Sequence, residues 1–68
     1  MTFNEALEET RKGNLLQRKS GVMVLFLKRD EFGFLKSGII GSDGLVLWFS
    51  GARLHDDDVS ATNWEVVE

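Results

Sequence analysis

The sequence contains no cysteine and no proline, and it has a single histidine. The first absence excludes disulfides and thiolate metal sites, and one histidine excludes a His-rich metal cage. A chain of 68 residues must then hold together on a small core. Folding at that length removes only about 60% of the unfolded chain's surface from water. Association into a homo-oligomer, a dimer or tetramer, is the common remaining way to stabilise so small a domain. Positive charge is also scarce, with eight Lys and Arg against eleven Asp and Glu and a net charge of −3. That balance counts against a general DNA or RNA binder, which needs a basic surface to displace counterions. A small anionic ligand needs only one or two local cations. The longest apolar run, Val22 to Leu27, is six residues, far short of a membrane span. The polar, acidic start has no signal-peptide character. The expectation is one cysteine-free cytoplasmic domain, residues 1 to 68.

What is present reads as one helix followed by short strands. In "MTFNEALEETRKG", Thr2 and Glu5 have capping-box spacing. Phe3, Ala6, Leu7 and Thr10 form one apolar stripe, and Gly13 suits a left-handed stop. Beyond Gly13 the period changes. "NLLQRK", "VMVLFLKR", "FLKSGII" and "LVLWFS" read as strands. They are separated by turn signals at Ser20-Gly21, "DEFG" and "GSDG". Gly38 marks a bulge or a close backbone approach. "GARLHDDD" reads as a loop, "DVSAT" as one helical turn capped by Asp58, and "NWEVVE" as a final strand. On that strand Trp64 and Val66 share one face and Glu65 and Val67 the other. The fold class is therefore α+β: an N-terminal helix packed on a small antiparallel sheet of four to five strands.

Catalytic patterns are scarce. Gly38, Gly41 and Gly44 flank a hairpin rather than open a helix, so they form no phosphate loop. No nucleophile elbow surrounds any serine. His55 to Asp58, "HDDD", is better read as a solvated loop and helix cap than as a metal site. Trp48 and Phe49 are adjacent on a strand and point to opposite faces, which predicts one ring in the core and one against another subunit, the helix or a flat ligand. Arg18 and Lys19 also point to opposite faces, and one of them is placed to meet a carboxylate or a phosphate. No base and nucleophile can be nominated together, so the expectation is a protein without enzymatic activity.

The opening Met1-x-Phe3-x-x-Ala6-Leu7 helix, the glycine after it and the Arg18 strand resemble a family of small phage and prophage proteins. So do the Trp48 strand, the Ala61 turn and the closing "NWEVVE". The family is the second type of Thoeris anti-defence protein. The resemblance runs over nearly the whole chain and is strongest from Thr2 to Gly13 and from Ala61 to Val67. The chain departs from the family pattern at Gly21, where an "R-x-x-W" strand would carry tryptophan, and at Asn63, where the family has aspartate.

The resemblance implies an oligomeric sponge in the host cytoplasm. Such a protein sequesters a cyclic nucleotide immune signal, a cyclic ADP-ribose isomer or a cyclic oligonucleotide, without cleaving it and without a cofactor. Arg18, Trp48, Phe49, Ser50, Asn63 and Trp64 are the candidate ligand residues, with Arg18 on phosphate and one aromatic stacked on a base. The alternative is a small phage inhibitor that binds a host or defence protein through an acidic or aromatic surface.

Overall fold

Thr2 and Glu5 start the first element by satisfying each other's free backbone groups. Glu5 N–H donates to Thr2 Oγ1 at 3.2 Å, and Thr2 N–H donates to Glu5 Oε1 at 2.9 Å. Hydrogen bonding of the Glu5 carboxylate to the Thr2 backbone N–H, followed by that to the Thr2 hydroxyl, holds it below its ordinary value of 4.5; a donor to the carboxylate favours the charged form. The helix, α1, spans Phe3–Arg11. It ends as the glycine predicts: Gly13 has φ +90°. Gly13 N–H donates to Thr10 O and Asn14 N–H to Glu9 O, which closes the last turn,.

The computed structural model describes residues 1–68. Behind α1 come β1 (Leu16–Ser20), β2 (Met23–Arg29), β3 (Leu35–Ile40) and β4 (Val46–Phe49), then a short helix α2 (Asp56–Ser60) and β5 (Glu65–Val66). All strand pairs are antiparallel, in the order β4-β3-β2-β1-β5. The sequence signals therefore give the right architecture, with β1 to β4 each one or two residues shorter than the runs read for them.

Two local readings change, and one left open is decided. The helical turn begins at Asp56 with His55 at its N-cap, so Asp58 is the third helical residue rather than the cap. Its carboxylate still reaches back, since Asp58 Oδ2 accepts His55 N–H at 2.9 Å. The closing strand is only Glu65–Val66, because Asn63 and Trp64 are used in side-chain contacts. Gly38 is a close approach and not a bulge: it sits in register between Phe26 and Trp48. A Cβ there would lie 2.8 Å from the Trp48 ring and 2.8 Å from Val46 Cγ1.

Strand register divides the sheet into two faces. One cross-sheet row is Val66, Leu16, Leu27, Ser37 and Phe49, and α1 packs on this face. The core is Ala6, Leu16, Leu27 and Trp64, flanked by Phe3, Leu7, Leu25, Leu35, Leu54 and Val66. The neighbouring row, Glu65, Gln17, Phe26, Gly38 and Trp48, lies on the other face. No helix covers that face. The tail is thus tied down through Trp64, whose ring is buried and tilted 5.9 Å from Phe3.

Candidate functional site

β1 aims Arg18 along the helix-side face, toward α2 and the tail. Its Nη1 donates to Asp58 Oδ1 at 2.7 Å and its Nε to Asn63 Oδ1 at 3.0 Å. Asn63 Nδ2 in turn donates to Lys19 O, and Trp64 Nε1 donates to Asp58 O at 3.0 Å. The Arg18 and Asp58 side chains are only 12% and 9% exposed. Of the two partners the strand position allowed, Arg18 therefore meets a carboxylate. Arg18, Asn63 and Trp64, three of the six candidates, form one clasp joining β1, α2 and the chain end. Trp64 belongs to the core.

The other three candidates separate. Trp48 and Phe49 face opposite sides of the sheet, as adjacent strand residues must, but neither is in the core. Trp48 lies on the open face, 6.4 Å from the Phe26 ring, with Lys28 Nζ 4.2 Å from its centroid. Phe49 lies on the helix side, with the Arg53 guanidinium carbon 4.6 Å from its ring centroid. Ser50 is exposed and lines a separate groove with Asp30, Phe34 and Lys36.

The helix-side face also holds a recess of about 290 Å³ that α1 leaves uncovered. Its floor is Met23, Leu25, Ile39 and Phe49, and its polar wall is Ser20, Arg53, His55 and Asp58. Register puts Leu25 opposite Ile39 and Ser20 opposite Met23, so three strands build the floor. The segment after β4 is pinned by Ser37: Arg53 N–H donates to Ser37 Oγ at 2.7 Å. That bond fixes where the Arg53 side chain starts. Asp58 has both carboxylate oxygens occupied, by Arg18 and by His55 N–H. Arg53 has no ion pair. The recess therefore presents an apolar floor and one unpaired cation stacked on an aromatic ring. That combination suits a planar anionic ligand. Among the six sequence candidates only Phe49 lines it. Arg53 and His55 were missed as a site, and the signal was there: two cationic or titratable residues in the loop directly after an aromatic strand.

No family model, curated protein or solved structure matches this chain.

Proposed function

We propose that this protein is a non-catalytic sponge that captures a cyclic nucleotide signal, as the anti-defence resemblance implies, through the recess beside Phe49. The observation that carries the reading is the free Arg53 guanidinium over the Phe49 ring at the mouth of an apolar pocket. A nucleotide brings a flat ring for that floor and a phosphate whose charge must be paired on leaving water. The recess lies at the low end of ligand-pocket volumes, about 300–1,000 Å³. A large ligand would extend past it toward solvent or a second subunit. Arg18 supports the site from behind, by holding Asp58 and α2 in place.

Calorimetry with cyclic ADP-ribose isomers and cyclic dinucleotides tests the reading. Wild type should give saturable heat with one of them, and mass spectrometry should recover the ligand unchanged. Arg53→Ala should weaken binding by about tenfold to 100-fold, a loss of one charge-assisted contact. Absence of heat with every cyclic nucleotide, or equal affinity in Arg53→Ala, would count against it.

A second reading, the protein-binding inhibitor, has its own observation. Phe32 and Phe34 stand 76% and 70% exposed on the β2–β3 turn, and exposed aromatics of this kind anchor protein interfaces. A partner recovered by wild type and lost by Phe32→Ser with Phe34→Ser would favour it.

A further inference from the structure

The two edges of the sheet are treated differently. The β5 edge is two residues long, carries Glu65, and is bridged by Met1: Trp64 N–H donates to Met1 O at 3.3 Å and the Met1 amine donates to Trp64 O at 2.9 Å. The β4 edge has no such cover. From Leu45 to Ser50 it holds no charge, no proline and no bulge, the devices that keep strand edges apart. Leu45 and Leu47 beside it are 69% and 57% exposed.

The hydrogen-bond phase of that edge can be read from β3. Gly41 N–H donates to Leu45 O at 2.8 Å, so Leu45, Leu47 and Phe49 point their backbone groups at β3. By alternation, Val46 and Trp48 point theirs outward. Two free donors and two free acceptors therefore sit two residues apart on an apolar strand.

We propose that β4 pairs with the β4 of a second copy, antiparallel about a two-fold axis at Leu47. Only this register uses every outward group within both strands. Val46 exchanges both bonds with the partner's Trp48, and Trp48 with the partner's Val46, four main-chain bonds in all. Centring on Val46 or on Trp48 would give two within the strands. Leu47 then meets the partner's Leu47 as a non-bonded pair, the closer type of cross-strand pair. On the same face Leu45 meets the partner's Phe49, so each copy adds a leucine to the rim of the other's recess. Charge agrees with the arrangement. Antiparallel pairing lays the Asp43 turn of one copy beside the segment leading to the partner's Arg53. A face-to-face dimer of the open faces would instead bring together two surfaces that each carry Lys19, Lys28 and Lys36. Because the β5 edge is covered, the pairing closes at two and does not grow into a fibre.

Sedimentation equilibrium tests this directly. Wild type should show twice 7.7 kDa. Leu47→Lys places like charges across the axis and should raise the dimer dissociation constant about 100-fold or more, with circular dichroism unchanged. Leu47→Cys, the only thiol in the chain, should oxidise to a covalent dimer, while Val59→Cys at an equally exposed site should not. A mass of 7.7 kDa at millimolar concentration, an undiminished dimer in Leu47→Lys, or equal cross-linking at both cysteine positions would overturn it.

Discussion

Arg18 is where three segments of the chain meet. Its guanidinium bonds Asp58 from α2 and Asn63 from the tail, in a setting that hides most of both charges from water. Arg18→Ala would leave the Asp58 carboxylate buried without its cation. Breaking a buried pair from one side costs about 3–5 kcal/mol, and the desolvation here is incomplete, so about 3 kcal/mol is expected. Urea denaturation of wild type and variant measures it. Arg18→Met combined with Asp58→Leu should lose less, since no charge is then stranded. A variant that keeps its urea midpoint but loses ligand would instead make Arg18 a binding residue. The sequence made a strand position for Arg18 legible, and a carboxylate or phosphate partner with it. Which carboxylate was not legible, because Asp58 is 40 positions away and its direction depends on α2 starting at Asp56. Arg53 was legible only as a cation in the loop after an aromatic strand; its placement over Phe49 depends on the distant Ser37 hydroxyl, which no local pattern encodes.

Among the elements, those with a strong period and marked ends were the legible ones. α1 begins at its capping box and ends at its glycine because both signals act within one turn. β2 and β3 follow from their apolar runs. β5 shrank because Asn63 and Trp64 spend their side chains on Arg18, Lys19 and Asp58 instead of continuing the ladder. Gly38 shows how one missing side chain shapes a strand pair. The Trp48 ring and the Val46 side chain occupy the space a Cβ would take, so the indole rests against the Gly38 backbone of β3. Gly38→Ala should cost about 1–3 kcal/mol, the usual penalty for overfilling a packed site. It should also change the near-ultraviolet circular dichroism of Trp48. Thermal melts of the two proteins check the first, and an unchanged spectrum would mean that the indole does not rest on the glycine.

On the scale of the whole molecule, four residues make the buried cluster under α1, and one of them, Trp64, comes from the tail. Deleting residues 63 to 68 removes that ring, the Asn63 bonds and β5 together. Loss of a buried tryptophan alone costs about 3–5 kcal/mol, close to the lower end of the ordinary stability range of about 5–15 kcal/mol. The truncated protein should therefore lack a cooperative melt by circular dichroism, and a retained midpoint would contradict the role given to the tail. The burial of the tail's indole was legible from "NWEVVE" alone, since Trp and Val are residue types that leave water,. The division of the sheet into a helix-covered and an open face was not, because register needs the pairing of all five strands. The two faces also make the chain a matched pair of optical reporters. Trp64 is sealed in the core with its indole N–H bound to a carbonyl, while Trp48 lies on the uncovered side under a lysine ammonium. Trp64 emission thus follows unfolding and Trp48 emission follows whatever arrives at the open face, so one unlabelled protein with a soluble quencher separates the two events.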